Sequence, residues 1–333
     1  MKAVVLNAPG GADNLHVEDI AEPELNSPDQ IKVQLHAAGI NPIDTKLRSR
    51  GPLFDNGLPA VLGCDGAGVV SEVGDAVSQY KTGDKVWFCH GGLGREQGNY
   101  AQVKVIPARE VCAMPRNLDF VHAAAAPLVV LTAWEALFDR AQLSAGQNVL
   151  IHAGAGGVGH VAIQLAKQRG ARVATTVGSA DKVAFVEKLG ADLVINYREQ
   201  NFVEAVNEWT QGEGVDVAFD TVGPQVFKDS IAVVAHYGAL VTLLDPGQDV
   251  DWKEARTRNL RIEFELMLTP MLRDLPQARA HQMDILNSCR RMIENNQLTL
   301  HVSQILPLEQ VAQAHSLIEQ GSTQGKIVLQ IAE

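Results

Sequence analysis

Ile151-His152-Ala153-Gly154-Ala155-Gly156-Gly157-Val158-Gly159-His160 places four glycines within six positions of a chain otherwise rich in Val, Leu and Ala. Glycine is costly to order, so such a cluster marks a sharp turn or a place where another group comes close to the main chain. The flanks decide. Val149-Leu150-Ile151 reads as a short apolar strand. After the glycines, Val158, Val161, Ala162, Leu165 and Ala166 recur at the spacing of one buried helical stripe. Gly154 to Gly159 therefore satisfies G-x-G-x-x-G between a strand and a helix, the context a dinucleotide-binding turn requires. In that reading Gly154 permits the tight turn, Gly156 lets a pyrophosphate reach the backbone, and Gly159 lets helix pack on strand. Gly157 and Val158 complete the turn, whose free N–H groups face the phosphates. A nucleoside triphosphate loop would need Lys and then Ser or Thr after Gly159, and the chain has His160 and Val161.

Working outward, the same alternation continues. Gly170 stops the helix, and Arg172 to Val177 reads as the next strand. A helix through Val183, Val186 and Leu189 precedes the strand Leu193-Val194-Ile195. A helix over 202–209 leads to a strand over 215–219, and one over 227–234 leads to a strand over 240–244. Arg261 to Met267 makes a sixth strand. Such alternation builds a parallel sheet covered on both faces. Before about residue 125 the texture differs: Ile31, Val33 and Leu35 alternate with polar residues, and Val69-Val70, Val86-Trp87-Phe88 and Val103-Lys104-Val105 are brief strands separated by glycines. From about Met271 two helical segments and a last strand, Ile327-Val328-Leu329, are expected. That strand needs a sheet to join.

Composition narrows the partners. The 333 residues carry a net charge of −11, which argues against a general affinity for nucleic acid or anionic membrane. Four scattered cysteines (Cys64, Cys89, Cys112, Cys289) fit reduced thiols better than a disulfide framework. The opening MKAVVLNAPGG has too short an apolar run for a signal peptide, and no window approaches the ~18–20 apolar residues of a membrane span. A soluble cytoplasmic protein is expected.

The second strand of the series carries the coenzyme preference. An NAD site usually has an acidic residue at its end to bind the ribose hydroxyls. Here Thr175-Thr176-Val177-Gly178-Ser179 has none, Lys182 follows, and Tyr197 and Arg198 end the third strand. A hydroxyl (Ser179), a cation and a phenol (Tyr197) suit a 2′-phosphate, so NADPH is favoured; Asp181 dissents.

With these residues in view, the chain resembles the medium-chain dehydrogenase/reductase superfamily, in its zinc-free quinone oxidoreductase branch, which includes the zeta-crystallins. The resemblance runs over nearly the whole length. It rests on AAGINPIDTKLRSRG (37–51), LPAVLGCDGAGVVSEVG (58–74), GDKV (83–86), LTAWEAL (131–137), VLIHAGAGGVGHVAIQLAK (149–167), INYRE (195–199) and QVAQAHSLIEQGSTQGKIVL (310–329). It implies an α/β fold: a Rossmann doubly wound parallel sheet plus a GroES-like β-rich catalytic domain. The implied limits are 1–124 for the GroES-like domain, 125–266 for the Rossmann domain and 267–333 for a segment rejoining the first. Members bind the cofactor in the cleft between domains, commonly NADPH, and often form homodimers or tetramers.

Zinc alcohol dehydrogenases of the superfamily carry Cys where this chain has Asn41, and His-Glu where it has Cys64-Asp65. A tetrahedral site needs three or four convergent ligands, and the first is missing. Cys89-His90 does not replace it, because neighbours in an extended run point to opposite faces. No metal is expected. Without one, reduction of an enone or quinone, which gives a delocalised anion that a few donors can carry, suits the site better than reduction of a plain ketone.

The resemblance places Asn41 beside the nicotinamide, while the residues alone equally allow an Asx-type turn before Pro42. Asp44, in the same loop, is expected to shape the active-site wall. Lys46 stands where many quinone reductases have Tyr; it either donates to the developing oxyanion or points to water. Arg48 is similarly placed. Thr132 matches a position near the nicotinamide ribose, or else caps a helix. Thr221-Val222-Gly223 and Leu243 follow the fourth and fifth strands, at the carboxyl edge where ligands sit in such sheets. The proton is allowed to come from solvent. The expected activity is NADPH-dependent, zinc-independent hydride transfer to a small-molecule quinone or α,β-unsaturated carbonyl. The alternatives are a zinc-dependent alcohol dehydrogenase of the same superfamily and a non-catalytic, crystallin-like NADPH-binding protein.

Overall fold

Brief β-branched runs punctuated by glycine give the N-terminal part of the chain its strands. The computed structural model, which describes residues 1–321 and 323–332, has β1 (Lys2–Leu6), β2 (Leu15–Asp19), β3 (Gln30–Gly39), helix α1 (Pro42–Arg50), β4 (Ala60–Val61), β5 (Asp65–Val73), β6 (Lys85–Cys89), β7 (Val103–Pro107), β8 (Cys112–Ala113) and α2 (Phe120–Ala124). Helix α3 (Pro127–Trp134) follows. Then come β9 (Asn148–Ile151), α4 (Gly157–Gln168), β10 (Arg172–Val177), α5 (Val183–Lys188), β11 (Leu193–Asn196), α6 (Phe202–Trp209), β12 (Val215–Asp220), α7 (Pro224–Ser230), β13 (Val234–Thr242), α8 (Trp252–Thr257) and β14 (Arg261–Phe264). The chain ends with α9 (Thr269–Leu272), α10 (Pro276–Glu294), β15 (Val302–Pro307), α11 (Val311–Glu319) and β16 (Lys326–Gln330).

Two units result. The first comprises Met1–Leu128, Leu268–Asn296 and Leu300–Glu333; the second comprises Val129–Met267 and Gln297–Thr299. In the first, a seven-stranded sheet runs β15-β16-β3-β5-β6-β8 with β7 also pairing β3, and a small sheet runs β2-β1-β4. Ile31, Val33 and Leu35 of β3 alternate inward onto Val70, Val86, Phe88 and Ile106. Strand β16 joins this sheet antiparallel to β3, pairing Val328 with Gly39. The four cysteines are free and buried.

In the second unit the sheet runs β11-β10-β9-β12-β13-β14, all parallel. In chain order that is 3-2-1-4-5-6, the doubly wound arrangement whose strand order reverses beside the first strand. Leu150, Ala174, Ile195 and Ala218 form its core with Phe227, Val234 and Leu240. No described helix is long and apolar enough to cross a membrane.

Several elements depart from the sequence expectation. Helix α7 stops at Ser230, and β13 begins at Val234, six residues before the expected strand. The β-branched pair Val233-Val234 is fully buried and pairs onto Val215, so sheet burial outweighs the helical period read there. Helix α8 was not expected; Asp251 initiates it by accepting the N–H groups of Lys253 and Glu254. Strand β15, also unexpected, is mostly exposed, and its apolar Val302, Ile305 and Leu306 do not alternate, yet it pairs parallel with β16. The segment after Asn41, expected as a loop, is the helix α1. Pro42 occupies its first turn, where a missing N–H costs nothing.

Candidate active site

In the second unit, the end of β9 leads into the glycine turn. The N–H of Ala153 donates to Thr176 Oγ1 at 3.0 Å, and that of Gly154 to the Thr176 carbonyl at 3.0 Å, tying the turn to β10. The three motif glycines divide by role. A Cβ on Gly154 would overlap Thr175 Oγ1, and one on Gly159 would overlap the Ala153 carbonyl oxygen. Both are therefore packing glycines. The left-handed residue of the turn is Ala153, with φ 51°, so the tight turn assigned to Gly154 is made one residue earlier. Gly156 is different. Its backbone is ordinary extended chain (φ −77°, ψ −179°), and an added Cβ would meet only the Ala153 carbonyl, at 3.2 Å. That contact is tight, but it is much milder than the overlaps at Gly154 and Gly159. Gly156 also precedes the first turn of α4, which receives no side-chain cap, and Gly156, Gly157 and Val158 are all partly exposed. An uncapped helix N-terminus with an open approach fits a diphosphate.

The ends of β10 and β11 adjoin, Val177 being paired with Asn196. A Cβ on Gly178 would overlap the Tyr197 hydroxyl, which fixes the phenol beside the strand end; the Tyr197 side chain is 54% exposed. Thr175 and Thr176 are buried, and their hydroxyls bond to Ile151, Ala153 and His152. Ser179 is the outward hydroxyl. It hydrogen-bonds Asp181, and that bond is the main cause holding the exposed Asp181 carboxyl below its usual range. Lys182 is half-buried and Arg198 exposed at the same end.

At the carboxyl ends of β12 and β13, Asp220 organises the loop. One carboxylate oxygen accepts the N–H groups of Val222 (2.9 Å) and Gly223 (3.0 Å), and the other accepts the Thr242 hydroxyl (2.9 Å). Thr221 Oγ1 donates to the His152 carbonyl at 3.0 Å, Val222 is 49% exposed, and Leu243 is half-buried. Asp220 was missed because a lone acid ending a strand has no motif. Thr132 is buried within α3, not at its start, so it does not cap that helix.

In the first unit, α1 carries Asn41 at its N-cap, Asp44, Lys46 and Arg48. Asn41 is 1% exposed. Its Nδ2 donates to Asp65 Oδ2 at 2.9 Å, and its Oδ1 accepts from Lys326 Nζ. Asp44 Oδ2 accepts the Asn41 N–H at 2.9 Å and the Tyr100 hydroxyl at 2.8 Å. Arg48 is buried and gives its guanidinium to Glu319, the shorter contact being 2.6 Å. Lys46 is half-buried, and no carboxylate partner for it occurs among the described residues; burial, with Arg50 nearby, lowers its pKa. The sequence reading missed Asp65, Tyr100 and Lys326 as members of this cluster. Lys326 lay in the GKIVL tail, but a single strand lysine ordinarily signals solvent. Among the described residues, no group of three or more His, Cys, Asp or Glu is placed to hold a metal ion.

Burial pushes the Asp44 carboxyl up to about 7, against the hydrogen bonds from Asn41 and Tyr100. A carboxyl with a raised folded-state pKa favours folding most at pH below its ordinary 3.8, and loses that contribution as pH rises through about 7. Asp44→Asn cannot ionise. The melting temperature of the wild type is therefore expected to fall relative to that of the variant between pH 5 and 8; melting curves measured in parallel check it, and a constant gap refutes it.

Two family models match: alcohol dehydrogenase GroES-like domain over residues 27–116, and zinc-binding dehydrogenase over residues 189–329. The chain is 32% identical to a 2-haloacrylate reductase of Burkholderia sp, the match covering 98% of each chain. It is 33% identical to quinone oxidoreductase 1 of Escherichia coli K12, covering 96% of each. Among solved structures, that of Escherichia coli quinone oxidoreductase complexed with NADPH matches with a TM-score of 0.88 and 30% identity, over 99% of this chain and 100% of that one. An NAD-dependent alcohol dehydrogenase matches with a TM-score of 0.90 and 32% identity, over 100% of both.

Proposed function

The chain belongs to the medium-chain dehydrogenase/reductase superfamily, alongside its quinone oxidoreductases, and from that premise we propose an NADPH-dependent, zinc-independent reductase of quinones or α,β-unsaturated carbonyls. The observation that carries the reading is the arrangement around Asn41. At the position where zinc relatives have their first cysteine ligand stands a carboxamide, and a buried lysine ammonium lies against it, 3.6 Å from Asp65. The Lys326 charge already offsets the Asp65 carboxylate, and a second cation beside Asn41 would be repelled by it. An acceptor whose developing charge spreads over a conjugated system suits such a site best, because a few hydrogen-bond donors are enough to stabilise it. The names of both relatives, quinone oxidoreductase and 2-haloacrylate reductase, denote such conjugated acceptors.

Bound NADPH would supply one hydride. The residues proposed to hold it are Gly154, Gly156, Gly157, Val158 and Gly159 at the diphosphate, and Ser179, Lys182 and Tyr197 at the 2′-phosphate. Thr132, Thr221, Val222, Gly223 and Leu243 are proposed for its remaining length. Asn41 is proposed to donate an N–H beside the reacting atoms, and Lys46 a further hydrogen bond to the acceptor oxygen. Asp44 fixes the Asn41 main chain, and Arg48 anchors α1 through Glu319. Reduction of an enone would place the hydride at its β-carbon and a proton, drawn from water, at its α-carbon. We propose a cytoplasmic homodimer as the working form; β14 is an edge strand with Phe264 and Leu266 more than half exposed nearby.

The test is NADPH oxidation against a panel of quinones, enones, aldehydes and ketones, with and without chelator. Turnover of quinones or enones that ignores chelator is expected. Robust ethanol or isopropanol oxidation without either activity overturns the reading. Lys182→Ala is expected to raise KM for NADPH by about tenfold and that for NADH far less, the loss of one charge-assisted contact to phosphate. Equal rises for both coenzymes remove Lys182 from the 2′-phosphate site.

A further inference from the structure

Lys326 sits in the terminal strand β16, far along the chain from α1, yet it is 3% exposed and its ammonium meets the start of that helix. Nζ donates to the Ile40 carbonyl at 2.8 Å and to Asn41 Oδ1, and stands 3.6 Å from Asp65 Oδ2. Asp65, fully buried, accepts Asn41 Nδ2–H on that same oxygen and the Leu128 N–H, at 2.8 Å, on the other. The Asn41 carboxamide is thus held between a cation at its oxygen and an anion at its nitrogen. Turning it over would set N–H against ammonium and C=O against carboxylate. The two charges fix the orientation of a group that could otherwise adopt either.

A buried ion pair is a poor stabiliser, since apolar residues of similar size often serve as well or better. Burial pushes the Lys326 ammonium down and the Asp65 carboxyl up, and the attraction between them opposes both shifts. What the pair does supply is orientation and polarity. Nδ2 carries two N–H groups and the structure commits one, to Asp65. Withdrawal of electron density through the Lys326 contact strengthens the other as a donor and counters the opposite push from Asp65.

We propose that Lys326 is a positioning residue for hydride transfer: it locks and polarises the Asn41 carboxamide so that one N–H of known orientation is kept for the reacting groups. The inference rests on the reading of Asn41 as a donor to those groups. It assigns to the tail of the chain a part in the reaction without direct contact with substrate.

The experiment compares wild type, Lys326→Met and Lys326→Arg. It measures NADPH affinity by fluorescence titration, steady-state rates with 1,4-benzoquinone and 2-cyclohexen-1-one, the primary isotope effect with 4-deuterated NADPH, and the crystal structure of the Met variant. Lys326→Met is expected to bind NADPH within about twofold of wild type and to lose about 10- to 100-fold in kcat with acceptor KM little changed, as a misplaced reacting group would. Its isotope effect should rise as hydride transfer becomes limiting, and Lys326→Arg should recover part of the rate. Asn41 should leave its wild-type side-chain torsion or divide between two. A single unchanged Asn41 conformer, or a kcat within about twofold of wild type, overturns the inference. If wild type reduces neither acceptor, the proposed activity fails, while the Asn41 conformer still decides the positioning claim. Should Lys326→Met not fold, Lys326→Gln removes the charge at the same position with a polar end kept, and is read by the same criteria.

Discussion

Gly156→Val is expected to abolish useful NADPH binding while leaving the protein folded. The valine φ and ψ are allowed there, and the first atom of its side chain meets only the Ala153 carbonyl at 3.2 Å. That first atom needs the Ala153 carbonyl to give by only a few tenths of an ångström, far less than the overlaps at Gly154 and Gly159. A diphosphate is excluded, because the new methyl groups stand where phosphate oxygens must approach the N–H groups that open α4. A rise in the NADPH dissociation constant of about 100-fold, on the order of 3 kcal/mol, is the expected scale. Gly154→Ala is the contrasting variant. Its methyl overlaps Thr175 Oγ1, so it should lower stability by about 1–3 kcal/mol through overpacking. Fluorescence titration and thermal melting of both variants check the assignment. If Gly156→Val binds NADPH normally, the glycine turn does not receive the diphosphate.

Replacing Arg279 by alanine is expected to cost about 3–5 kcal/mol of stability, the scale for breaking a buried ion pair on one side. Arg279 lies in the first turn of α10 and is 5% exposed. It bonds Glu110 at 2.7 Å, Gln282 at 2.6 Å and the Cys89 carbonyl at 3.0 Å. Truncation leaves the mostly buried Glu110 carboxylate with only the longer contact to the exposed Arg109, at 3.7 Å, and the Cys89 carbonyl without the Arg279 donor. The double variant Arg279→Met with Glu110→Leu, which removes both charges and keeps the volume, should recover most of the loss. Urea denaturation of the three proteins tests this; a loss below about 1 kcal/mol for Arg279→Ala would place the pair among weak surface contacts.

The glycine turn, its strand and its helix were legible because backbone requirements are local: a G-x-G-x-x-G spacing and a 3.6-residue apolar stripe lie within one short segment. The parallel alternation from β9 to β14 was legible for the same reason, apart from helix α8, which was not expected, and the shifted start of β13, where burial of Val233-Val234 overrode the helical period. The residues of α1 were also picked out, but as a loop, since the apolar spacing after Pro42 is too weak to announce a helix.

What the sequence alone determined is the doubly wound sheet, its nucleotide turn and the absence of an acid at the end of β10. What only the tertiary structure decided is which charges meet. Lys326 reaches Asn41 and Asp65 because β16 pairs antiparallel with β3, and Arg279 reaches Glu110 because α10 packs back on the first unit. Local propensity is blind to such pairings. A charged side chain looks the same in sequence whether it ends in water or in a buried bond, and only a partner brought from far along the chain makes the buried end tolerable.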